Sequence, residues 1–72
     1  MQKKTAEHIL TYMIALLTEY LTELSDVRDA PSEQFTYGEK TAYTECLEIL
    51  AEWENAEQHG LNFDVEARFP LI

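Results

Sequence analysis

TYGEKTAYTECLEILAEWENAEQHG, residues Thr36 to Gly60, has the start, the face and the stop of one amphipathic helix. Thr36 followed by Glu39 matches a capping box, in which the threonine hydroxyl accepts from the Glu39 amide and the carboxylate reaches back to the Thr36 amide. Ala42, Cys46, Ile49, Trp53 and Ala56 then recur in alternating steps of four and three, and Tyr43, Leu47 and Leu50 form a second row one position later. Two adjacent rows make an apolar stripe broader than a coiled-coil seam. The other side carries Thr41, Thr44, Glu45, Glu48, Glu52 and Glu54. Gly60 stands where a left-handed residue closes a helix, and Leu61 is placed to fold back onto the last turn. A start one turn earlier, at Ser32 and Glu33 after Pro31, is also open, because Gly38 inside a helix costs only about 1 kcal/mol relative to alanine.

Working outward, residues 4–26 read as a first helix with Thr5 as its N-cap. Ala6, Leu10, Met13, Leu17, Tyr20 and Leu24 keep the four–three alternation, with Ile9, Leu16 and Leu21 beside them. Glu7, His8, Thr11, Thr18, Glu19, Thr22 and Glu23 occupy the other side, softened by Ile14 and Ala15. The connection, residues 27–35, contains Asp29-Ala30-Pro31-Ser32, where the proline lacks an amide donor and pushes Ala30 out of helical space. Two helices of matched length, 4–26 and 36–59, joined by such a loop imply an antiparallel hairpin. That pairing sets Lys3 and Lys4 near Glu52, Glu54 and Glu57, so that charges misplaced against each helix dipole complement one another.

The arm, residues 60–72, changes period. Leu61, Phe63, Val65, Ala67, Phe69 and Leu71 alternate with Asn62, Asp64, Glu66, Arg68 and Pro70. Period two is a strand signal, yet the chain offers no second strand, and an isolated strand is not stable in water. Three arrangements remain open: an extended arm over the hairpin, one helical turn from Asp64 to Arg68 stopped by Pro70, and strand pairing with a second copy.

Composition narrows the function classes. At 72 residues the chain is one small domain, residues 1–72, with 46% apolar residues, too many for a disordered tail. A net charge of −9 disfavours nucleic acid and anionic membranes as direct partners, since both call for clustered lysine and arginine. Lys3, Lys4, Arg28, Lys40 and Arg68 are scattered instead. The apolar run Met13 to Leu17 is far short of the roughly 20 residues that span a bilayer, and no small-residue cleavage site marks a signal peptide. The single cysteine points to a reducing compartment, hence the cytoplasm. Size, acidity and cysteine usage are in keeping with a small bacterial protein.

No residue pattern here carries catalysis or cofactor binding. His8 and His59 lack ligand spacing to each other or to Cys46, so neither a metal nor another cofactor is expected. Glu45, Glu48 and Glu52 share a face, as do Glu19 and Glu23, and both rows read as solvated acidic faces rather than general acids in a cleft. Cys46 falls on the apolar stripe with no histidine near it in sequence, the position of a structural thiol. Phosphate-loop and nucleophile-elbow motifs are absent. An enzyme is not expected.

The fold expected is therefore all-α: an antiparallel two-helix hairpin with a short C-terminal arm, extended or forming one helical turn, paired into a dimeric four-helix bundle. Leu10, Met13, Leu17, Tyr20, Leu24, Tyr43, Cys46, Leu47, Leu50 and Trp53 are its expected core and interface. Its expected function is that of a small, acidic, cytoplasmic interaction module that self-associates as a homodimer and binds a further protein. One alternative is an acidic antagonist, through Glu19, Glu23, Glu45, Glu48 and Glu52, of a partner's basic nucleic-acid-binding surface. Another is a monomeric structural domain, closed by its own arm.

Overall fold

The computed structural model describes residues 3–25 and 33–70. Its elements are helix α1 (Ala6–Ser25), helix α2 (Glu33–Leu50), a 3-10 turn (Glu57–His59) and the short helix α3 (Val65–Arg68). The described residues are mostly helical, contain no strand, and pack α1 against α2. Contacts fix the direction of that packing. Tyr20, late in α1, meets Tyr43, just past the middle of α2, at 5.4 Å between ring centroids, while Glu7, at the start of α1, meets His59, beyond the end of α2. The two helices are antiparallel.

α1 starts where the sequence says it should. The Thr5 hydroxyl accepts from the His8 amide at 3.2 Å and the Thr5 carbonyl accepts from Ile9 at 3.1 Å, which makes Thr5 the N-cap. Its inward row is Leu10, Ile14, Leu17, Leu21 and Leu24. This corrects the expected row by about one residue. Ile14, placed on the polar side by the sequence pattern, is 2% exposed, whereas Met13 and Tyr20 are each 38% exposed. The apolar arc of α1 is broad enough to accept either centre, and packing selects the one that includes Ile14 and Leu21.

α2 differs from expectation at both ends. It begins at Glu33, the earlier of the two starts, so Thr36 lies within the helix and does not head it. The rest of the expected connection, and the Ser32 cap, fall outside the described residues. The helix ends at Leu50 rather than at residue 59. The last α-type bond is from the Ala51 amide to the Leu47 carbonyl at 2.8 Å; Glu52, Trp53, Ala56, Gln58 and His59 then donate three residues back. Burial explains the tightening. Leu50, Trp53, Ala56 and His59 all turn inward, at steps of three. An α-helix would swing each step of three about 60° away from the last, whereas 3-10 geometry stacks them on one side. Glu52, Glu54 and Glu57 are thereby exposed, and neither Lys3 nor Lys4 pairs with them among the described residues.

Gly60 closes this segment at φ 108°, and the Leu61 amide donates to the Ala56 carbonyl at 3.0 Å. The arm then makes one helical turn, the second of the arrangements left open. Asp64 is its N-cap, with Oδ1 accepting from the Glu66 and Ala67 amides at 3.0 and 3.3 Å. That turn puts Leu61, Val65 and Phe69 into one core with Ile14, Leu17, Leu21, Leu47, Leu50 and Ala56. Phe63 packs edge-on to Phe69, and the Arg68 guanidinium lies 4.5 Å from the Phe63 ring centre. The alternation that resembled a strand is the i, i+4, i+8 row of a turn flanked by bends.

Candidate functional site

The hairpin has two broad sides, and the arm covers one of them. Gly60 approaches Ile14, and Phe63, Asp64, Val65 and Glu66 line a depression with Glu48 and Ala51 of the α2 segment. On that side Thr44 is 4% exposed, its hydroxyl donating toward the Lys40 and Thr41 carbonyls at 2.8 and 3.0 Å. Thr18 is half-buried and donates to the Ile14 carbonyl in the same way. Threonine hydroxyls are tolerated under the arm because the preceding helical turn accepts their protons.

The other side is open. Tyr20 and Tyr43 meet along its seam. At about 100° per residue, Ile9, Met13, Leu16 and Tyr20 share one edge of α1, and Tyr43 and Cys46 lie on the facing edge of α2. Because the helices are antiparallel, the Tyr20–Tyr43 contact puts these two edges on the same side of the hairpin. Ile9, Met13, Tyr20 and Cys46 are exposed there, and Ile49, 67% exposed, lies on the outer face of α2. Several large apolar side chains contiguous on one side of so small a chain form a patch of the kind that marks an interaction surface.

The expected core and interface residues divide accordingly. Leu17, Leu47 and Leu50 are buried; Leu10, Tyr43 and Trp53 are half-buried against the core, and Leu24 is half-buried. Met13, Tyr20 and Cys46 lie on the open side, so the thiol expected on a buried stripe is a free, exposed cysteine. Ile14, Leu21, Leu61, Val65 and Phe69 complete the buried set. Ile14 and Leu21 were visible as a second four–three row with Leu10, Leu17 and Leu24, the same row read one step further round.

All five residues of the expected acidic faces are exposed. Glu45, Glu48 and Glu52 surround Ile49 in a shallow depression on the outer flank of α2. Glu19 and Glu23 lie on the outer flank of α1, next to the Met13–Tyr20 edge. Glu48 also lines the depression under the arm, so the α2 acids lie across the back of that helix rather than along the open side.

His59 is occupied structurally. Its Nδ1 is 2.8 Å from the Asn55 carbonyl, its Nε2 is 2.7 Å from Glu7 Oε1, and its ring stacks on Trp53 at 4.7 Å. Among the described residues no three His, Cys, Asp or Glu side chains converge as metal ligands, and no helix is long and apolar enough to cross a membrane. Comparison with known proteins finds no matching family model, no matching curated protein and no matching solved structure.

Proposed function

We propose that this chain is a small protein-interaction module, without a catalytic site, that works by burying the open side of its hairpin against another chain. In the simplest assembly two copies pack open side to open side as an antiparallel four-helix bundle with two-fold symmetry. The observation that carries this reading is the asymmetry of the hairpin: the arm packs on the Thr44 side, while Ile9, Met13, Tyr20 and Cys46 remain in water on the other. A cytoplasmic setting belongs to the same reading, because an exposed, unpaired thiol persists in a reducing compartment.

The test is solution mass by light scattering across a dilution series, for the chain and for Met13→Asp. Self-association that weakens on dilution and is removed by the aspartate supports the module. A mass of one chain at every concentration removes the homodimer.

A second reading, an acidic antagonist of a basic surface, is favoured by the acids around Ile49. It uses the outer face of α2 rather than the open side.

A further inference from the structure

We propose that the occupant of the open side is a second copy of this chain in one register: α1 lies antiparallel on the partner's α1, with the two-fold axis crossing α1 between Met13 and Leu16. This rests on the open side being the working surface and fixes how two copies meet on it.

The register follows from spacing. Ile9, Met13, Leu16 and Tyr20 succeed one another at steps of four, three and four, a row that is unchanged when read backwards. Ile9, Met13 and Tyr20 are exposed and Leu16 is half-buried. Turned end for end, the row falls on itself: Ile9 meets the partner's Tyr20, and Met13 meets the partner's Leu16. Alternating steps of four and three are the seam along which two helices pack knobs into holes. The α2 edge of the same side is shorter. It offers Tyr43 and Cys46, and one turn before Tyr43 the same row carries the exposed Glu39. Packing α1 on the partner's α2 would set part of the four-residue row against that carboxylate, whereas α1 on α1 matches apolar length with apolar length.

The direction follows from charge. Lys4 lines a depression with His8, Ile9 and Tyr12, which places it at the Ile9 end of the row. Tyr12 shares its stripe of α1 with Glu19 and Glu23, at steps of seven and four, so both acids lie on that same flank toward the Tyr20 end, and both are exposed. A two-fold axis perpendicular to α1 returns each flank to the same side of the seam. Lys4 therefore comes beside the partner's Glu23 at each end, about two residues or roughly 3 Å apart along the axis. A parallel pair would set lysine against lysine and glutamate against glutamate. Each chain carries −9, so two copies repel at long range, and the orientation that puts cation on acid at both ends is the one that least opposes the apolar contact.

The experiment uses the full chain with Cys46→Ser, carrying either Ile9→Cys or Tyr20→Cys, each checked for helicity and for mass by light scattering. The two are mixed under mild air oxidation and the disulfide-linked products are identified by mass spectrometry. Ile9→Cys is expected to link to Tyr20→Cys at least about tenfold faster than to itself, because Ile9 and the partner's Ile9 are then about 16 Å apart along the axis, beyond the reach of a disulfide. Separately, Glu23→Lys and Lys4→Glu are each expected to weaken self-association about two- to fivefold, the small effect of exposed pairs, although Glu23→Lys lowers the net negative charge. Mixing those two variants should restore association, since each reversed end then meets its opposite. If Ile9→Cys links to itself as fast as to Tyr20→Cys, the antiparallel register is overturned; the open side still stands if the unaltered chain dimerises with Cys46 protected from alkylation. If Glu23→Lys strengthens self-association, the end-to-end charge pairing is overturned. If the unaltered chain has the mass of one copy at every concentration, the register and the homodimer both fall.

Discussion

The carboxylate of Glu7 lies 2.7 Å from Nε2 of His59, joining the first turn of α1 to the last turn before Gly60. Trp53 stacks on the same imidazole, so the Glu7 contact, the indole and the Asn55 carbonyl form one clamp at the end of the hairpin opposite the connection. Glu7 is largely exposed, and exposed ion pairs are worth little on their own. Glu7→Gln is therefore expected to lower stability by less than about 1 kcal/mol, whereas His59→Ala also removes the ring stack and should cost about 1–2 kcal/mol. Denaturant titrations of both variants check the order.

Core substitutions separate the observed inward row from the one the periodicity favoured. Ile14→Ala removes a side chain that is 2% exposed and is expected to cost about 2–5 kcal/mol, enough to unfold much of so small a chain. Met13→Ala, at a position open to water, should cost under about 1 kcal/mol. Equal effects in urea titrations would mean that α1 is rotated away from this orientation.

The two glycines make opposite predictions. Gly38 is inside α2 with open space where an alanine β-carbon would sit, so Gly38→Ala should stabilise by about 0.5–1 kcal/mol. Gly60 has φ 108°, and although a β-carbon there would meet the Ile14 side chain at an ordinary 3.7 Å, the backbone conformation itself disfavours an L-residue. Gly60→Ala should destabilise by about 1–2 kcal/mol. Thermal melts of the pair give the sign directly.

The arm belongs to the fold. Ending the chain after Gly60 removes Leu61, Val65 and Phe69 from the core and is expected to abolish cooperative unfolding. Asp64→Ala, which keeps those side chains but removes the acceptor for two amides, should cost about 1 kcal/mol. Far-ultraviolet circular dichroism with urea distinguishes the two.

These outcomes also show what the sequence could and could not specify. Thr5, Gly60 and Asp64 act locally, through hydrogen bonds and backbone conformation within a few residues, and each was legible at its own position. The inward row of α1 was not, because Leu10, Met13, Ile14, Leu17, Tyr20 and Leu21 cover an arc broader than α2 can bury. The arm, distant in sequence, decides which part is covered. The early end of α2 had a signal in the strict three-residue spacing of Leu47, Leu50, Trp53, Ala56 and His59. That spacing was masked by the four–three row through Cys46 and Ile49, which turned out to face water. The open side emerges once the seam at Tyr20 and Tyr43 and the seat of the arm are both known.

Cys46 stands in the middle of that open side, so its thiol reports on this surface alone. The most direct measurement is the rate of Cys46 alkylation by a small maleimide across the protein concentrations used for mass determination. The rate is expected to fall as the mass rises, and to stay fast for Met13→Asp. A mass that rises while Cys46 remains equally reactive would show that the chains meet elsewhere, and would contradict the assignment of the open side as the interaction surface.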